Sequence, residues 1–338
     1  MNHVDGRRRL FFQAQIWLGL LLGVGALYLA GRAIDFRQLG QVLGDVRLEF
    51  VALTLVTSLL TPILKAVRWR WLFYPQRPAL SLARLAGQVV IGQAINFMIP
   101  GRWGELARAY LAGDEAEISK AYVLGTLAAE KLLDLVVLAL LVVAMIPFIA
   151  LPDWLATRVG PVVITALVVT AGAAALLGGR DLWLKIADWA LRLLPTAAAT
   201  RWRGRILAGL NGLTALRDPR AAVAIWGWTA VFWLMAATTN WLLLLAFDLP
   251  PSPLIALFLL AVLQGGVAVP STPGKIGVFH YLCILALSVF GVPASSGFAY
   301  GLILHFLVIG GISLWAALAL WRWSWNLRRL AAASTTWQ

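Results

Sequence analysis

Charge is what this sequence lacks. Only 13% of its 338 residues are Asp, Glu, Lys or Arg, and 61% are hydrophobic, whereas soluble domains carry about 25% charged residues. No single core buries that much apolar surface, so a water-soluble domain is excluded and a polytopic membrane protein remains. Cysteine occurs once, at Cys283 inside an apolar run, which excludes a disulfide framework and a thiolate metal site. The three histidines, His3, His280 and His305, are scattered and make no metal set. Neither a P-loop nor a nucleophile motif is present, which argues against ATP-driven transport within the chain and leaves no cofactor or metal to expect.

What the sequence does contain is long uncharged runs: Leu10–Gly31, Phe50–Leu64, Leu135–Pro152, Val159–Gly179, Ala221–Phe247, Leu249–Gly274 and Ile276–Trp321. A helix crosses the hydrocarbon with roughly 20 apolar residues. The last run is 46 residues long and must hold at least two membrane segments. The net charge of +13 and the 17 tryptophans suggest nucleic acid at first sight. The positives, however, cluster in short segments between apolar runs, as in loops held against anionic headgroups. Tryptophans at helix ends, as in Trp321-Arg-Trp-Ser-Trp325, read as an aromatic belt. Arg7 to Arg9 ahead of Leu10–Gly31 has the layout of a signal peptide. The run is long for a signal and lacks a small-x-small site before Arg32, so a retained first helix is expected over a cleaved one.

Charge sets an expected topology. With Arg7 to Arg9 inside, the first helix runs outward to a balanced segment, Arg32–Glu49. The second returns inward from about Phe50 and ends in Lys65, Arg68, Arg70, Arg77 and Arg84 with no acid, which satisfies the positive-inside rule. Arg180–Arg220 holds eight positives against three aspartates and is expected to be cytoplasmic. Its Leu182, Ile186, Trp189 and Leu193 recur at helical spacing, so one or two amphipathic helices lying on the membrane are expected. The inner membrane and two cytoplasmic termini complete this scheme.

Two stretches, Leu80–Ser119 and Ser252–Pro293, begin and end on the same side. Each contains P-G-[RK]-x-G, as Pro100-Gly-Arg-Trp-Gly104 and Pro273-Gly-Lys-Ile-Gly277, offset by 173 residues. The same offset carries the second helix onto Val223–Leu245. The expected architecture is all-α: about six spanning helices and two re-entrant or broken hairpins, in an inverted-topology repeat of 1–152 and 153–338. A Pro-Gly break at membrane depth is tolerated beside protein or a watery cavity, so the breaks point to a cavity. The competing reading is two ordinary surface turns with a basic residue.

Ionisable residues within spans usually mark a pathway. Glu130 and Asp134 share one helix face; they read as part of such a pathway or as a buried structural pair with Lys131 or an arginine. In the first break Arg102, Glu105 and Arg108 follow at three-residue spacing, with Asn96 just before. Guanidinium suits phosphate because it is planar and bidentate. In the second break Lys275 supplies a point charge, and His280 follows. His305, mid-helix, reads as packing rather than as a proton carrier.

The ordered set Asn96-Phe-Met-Ile-Pro-Gly-Arg-Trp-Gly-Glu-Leu-Ala-Arg108, Glu130-Lys-Leu-Leu-Asp134 and Pro273-Gly-Lys-Ile-Gly-Val-Phe279 resembles the membrane domain of lysylphosphatidylglycerol synthases and their stand-alone relatives. The resemblance implies a flippase-like lipid transporter, without the aminoacyl-transferring domain. It also exposes a departure. The family's second motif looks like P-G-G-x-G-x-x-E, and this chain has Lys275 for a glycine and His280 for the glutamate, which shifts the expected substrate from an aminoacylated lipid towards a phospholipid or lipid-linked phosphate. Arg102, Arg108 and Lys275 would hold phosphate, while Glu105, Glu130 and Asp134 balance charge or relay protons. The chain is expected not to be an enzyme. The rivals are an enzyme acting on a polyprenyl-linked substrate and a non-catalytic scaffold for envelope enzymes.

Overall fold

The computed structural model describes residues 21, 23–32, 34–99, 103–150, 153–157, 159–193, 195–266 and 273–323, and the regular elements among them are all helical. In chain order they are α1 (23–32), α2 (Phe36–Gly44), α3 (Leu48–Leu72), α4 (Leu82–Met98), α5 (Trp103–Glu115), α6 (Lys120–Met145), the single turn α7 (Asp153–Ala156), α8 (Val159–Gly178), α9 (Arg180–Leu191), α10 (Thr196–Asn211), α11 (Pro219–Ala246), α12 (Pro253–Gly266), α13 (Val278–Ser288) and α14 (Ala294–Arg322). Among the described residues, α3, α6, α8, α11 and α14 are long and apolar enough to cross a membrane. The expected first span, Leu10–Gly31, lies largely outside the described residues. The all-α polytopic class is as expected.

Helix starts follow local chemistry. Asp35, Ser81 and Asp218 accept backbone N–H groups at the first turns of α2, α4 and α11, so orphan donors there are satisfied by side chains. Pro219 sits at the first position of α11, where its missing N–H costs nothing. The two helices expected in Arg180–Arg220 are α9 and α10, and Leu182, Ile186, Trp189 and Leu193 are all exposed. Asp188 Oδ1 and Oδ2 accept from Arg203 at 2.7 and 3.3 Å, tying the two helices together.

The centre of the fold is the pair α3 and α11, which run antiparallel. Arg47 at the start of α3 donates its N–H to Ala246 at the end of α11 at 2.9 Å, Thr57 meets Thr239 at 3.0 Å, and Trp69 and Leu72 share a core with Ala221 and Ile225. Around this pair stand two hairpins. α4 and α5 form one, on either side of the first Pro-Gly pair, and α12 and α13 form the other. Each hairpin also packs against the long helix that follows the other one, α4 on α14 and α12 on α6. The α4–α5 hairpin closes tightly because Gly92 faces Gly104: a Cβ on Gly104 would meet the Gly92 carbonyl, and one on Gly92 would lie 2.7 Å from the Arg108 side chain. In α14 a π-helical turn, Phe306–Gly310, follows His305.

Candidate functional site

Three helices bring seven charged side chains together. Glu130, on α6, is fully buried and has three cations around it: Arg108 of α5 at 2.9 Å, Arg68 of α3 at 3.6 Å and Lys65 of α3 at 3.8 Å. Arg108 reaches Glu130 with both terminal nitrogens, at 3.2 and 2.9 Å, and stacks 4.1 Å from the centre of the Trp69 ring. Arg68 makes the same two-pronged contact with Asp134, at 2.7 and 3.3 Å. Such forks satisfy planar geometry and charge together. Trp69 is held in place by its indole N–H, which donates to Thr126 at 3.0 Å.

The first hairpin adds a rim. Glu105 accepts from Asn96 at 3.0 Å and pairs with Lys131 at 3.2 Å, while the Asn96 carbonyl oxygen accepts the Gly104 N–H at 2.7 Å. Asn96 therefore ties the end of α4 to the start of α5 across the break. Side-chain exposure rises from 0% at Arg68 and Glu130, through 12% at Lys65 and 18% at Asp134 and Glu105, to 39% at Lys131. The cluster thus has a buried floor and an exposed edge. Lys65, Arg68, Arg108 and Lys131 outnumber Glu105, Glu130 and Asp134 by one.

The second break lies beside this rim. Lys275 places its Nζ 5.4 Å from the Phe97 ring, next to Asn96 on α4. Gly274 and Gly277 have φ of +70° and +89°, and Lys275 itself has +59°, a left-handed backbone that glycine adopts without cost and other residues do not. This gives the motif's usual glycine at position 275 a conformational reason. His305 donates from Nε2 to the Gly274 carbonyl at 2.6 Å and so holds the turn to α14. His280 is buried, its ring 4.9 Å from that of His305 and 5.4 Å from that of Phe298. Its Nδ1 accepts the Gly277 N–H at 3.4 Å. Residue 280 is the third residue of α13, where a side chain can reach back to the cap N–H, the half of a capping box that a glutamate usually supplies; Gly277 has no side chain to complete the other half. The departure from glutamate to histidine keeps a cap acceptor.

Of the residues expected at the site, Asn96, Glu105, Arg108, Glu130 and Asp134 are brought together. Arg108 is engaged with Glu130, Lys275 flanks the cluster, and His280 lies within the second hairpin. Arg102 lies outside the described residues. Sequence reasoning set Lys65 and Arg68 at the inner end of the second helix, among its topology-marking positives, and missed them as site residues; α3 runs through Leu72 and turns both inward. Their three-residue spacing was a signal, because it puts them on one face, next to Trp69, while Arg70 points out. It also missed the contacts of His305 with Gly274 and His280. No group of three or more His, Cys, Asp or Glu placed to hold a metal occurs among the described residues.

An all-α multi-pass membrane protein with broken hairpins around buried charge is the class these features define. Residues 16–316 match the model of the lysylphosphatidylglycerol synthase TM region, and the chain belongs to that family. It is similar to glycosyltransferase AglD of Haloferax volcanii, 28% identical over 305 residues, which cover 81% of this chain and 49% of that protein. The chain thus spans about half the length of the curated relative it matches. This corrects the expectation that the chain is not an enzyme: a relative over most of the chain carries an enzyme's name. The expectation rested on the resemblance to a lipid-transporting membrane domain. No solved structure matches the chain.

Proposed function

We propose that the charged cluster receives the phosphate of a lipid headgroup and that the protein moves this headgroup between leaflets. The observation that carries the proposal is the excess of cations over acids at a largely buried site, with Lys65 on Glu130 at 3.8 Å and the more exposed Lys131 on Glu105 at 3.2 Å. Unbalanced buried charge is costly unless a partner arrives, and a phosphate is the partner that matches. The buried floor of Arg68, Glu130 and Arg108 fixes the geometry, and the two lysines are the groups free to exchange partners as a headgroup passes. Lys275 would extend the path towards the second break.

The antiparallel α3 and α11, with each hairpin leaning on the other's long helix, support an inverted repeat with its boundary near residue 152. In that arrangement the breaks enter from opposite faces. Both termini and α9–α10 would then be cytoplasmic, in the inner membrane. A second reading is favoured by the relative's name: the same site presents a lipid-linked phosphate as acceptor to a glycosyl-transfer reaction. The test is movement of labelled phosphatidylglycerol across reconstituted vesicles. Lys65→Ala and Lys131→Ala should each slow it about tenfold, the scale of one lost charge-assisted hydrogen bond. Normal movement in both variants would overturn the proposal, whereas retention of labelled lipid-linked phosphate without movement would favour the acceptor reading.

A further inference from the structure

α6 and α8 part to leave an apolar cleft of about 420 Å³, walled by Leu135, Leu138 and Val142 on one side and Val162, Ala166 and Val169 on the other. Its volume falls within the roughly 300–1,000 Å³ of small-ligand pockets. Thr165, the polar residue in its wall, spends its hydroxyl on the Pro161 carbonyl at 2.8 Å. The cleft offers hydrocarbon and little else.

Where the cleft begins gives it a partner. Positions 131, 135, 138 and 142 recur at four, three and four residues and so share one face of α6. The furrow therefore starts one turn beyond Lys131, the exposed edge of the charged cluster, and Leu135 directly follows Asp134. From Leu135 to Val142 it runs about 10 Å along the helix, at about 1.5 Å per residue. An apolar furrow joined at one end to a surplus of positive charge has the shape and polarity of a lipid phosphate. We propose that this cleft seats the hydrocarbon chain of a lipid whose phosphate lies at Lys131, a subsite that rests on the phosphate-headgroup reading above. The chain holds the lipid while the headgroup exchanges between the two lysines.

The test is photolabelling of the full chain in non-ionic detergent with phosphatidylglycerol carrying a diazirine in its tail, with adducts mapped by peptide mass spectrometry. Adducts should concentrate in 135–142 and 161–169. They should fall about tenfold in Ala139→Phe, which fills the cleft from the α6 wall that Ala139 also lines, and in Lys131→Ala, which removes about 1.4 kcal/mol of anchoring for that factor. Val162→Phe fills the cleft from α8 and carries the same expectation should Ala139→Phe not fold. Adducts spread evenly over the exposed faces of α3 and α11 would overturn the proposal, as would equal labelling of the cleft by a diazirine-tailed alcohol lacking phosphate. Loss of labelling in Lys65→Ala and Lys131→Ala, with wild-type labelling in Ala139→Phe and Val162→Phe, would keep the headgroup reading and sink the cleft. Unchanged labelling in all four variants would sink both.

Discussion

Glu130→Gln keeps the shape of the side chain and removes one negative charge from the floor of the cluster. Arg108, Arg68 and Lys65, at 2.9, 3.6 and 3.8 Å, lose their shared counter-ion at once. Arg68 retains Asp134, but Arg108 keeps only its stacking on Trp69 and one arm of its fork, to a neutral amide oxygen. Breaking a buried pair by neutralising one partner costs about 3–5 kcal/mol, because the other charge stays buried and uncompensated. At about 2–4 °C per kcal/mol in chains of this order of size, melting should drop by roughly 6–20 °C. The assay is thermal unfolding of detergent-solubilised protein followed by tryptophan fluorescence. Adding Arg108→Gln to Glu130→Gln removes the stranded cation, so the double variant should recover about half or more of the loss. Unchanged melting of Glu130→Gln would refute the claim that this carboxylate is the buried hub.

Lys275→Gly relieves a left-handed backbone at φ +59° and should raise stability by about 1 kcal/mol in the same melt; no gain would show that the turn is not strained at that residue. His280→Gln keeps an acceptor for the Gly277 N–H and should melt near wild type, whereas His280→Leu should lose about 1 kcal/mol. Equal melting of the two would remove the capping role. The Arg203 side chain bonded to Asp188 holds that carboxyl below its ordinary value. A depressed folded-state value means that the α9–α10 tie is intact at neutral pH and is lost as pH falls through it. Hydrogen exchange in α9 should therefore quicken on acidification, and in Arg203→Ala it should already be fast at pH 7.

The membrane class, the places of the spans and the two breaks were legible in the sequence because they depend on neighbours along the chain. Apolar runs report burial in lipid, and Pro-Gly reports where a helix stops. Glu130 and Asp134 were legible for the same reason: charge in an apolar run has no local partner and must find one elsewhere. Which partner it finds is a matter between helices. Only the packing of α3 against α6 turned Lys65 and Arg68 from positives marking a helix end into the companions of Glu130 and Asp134. The same holds for the His305 hydrogen bond to Gly274, for α4 leaning on α14, and for the cleft left where α6 and α8 part. Each depends on residues far apart in the chain. The helical period says which face a residue occupies, and the tertiary fold decides what that face meets.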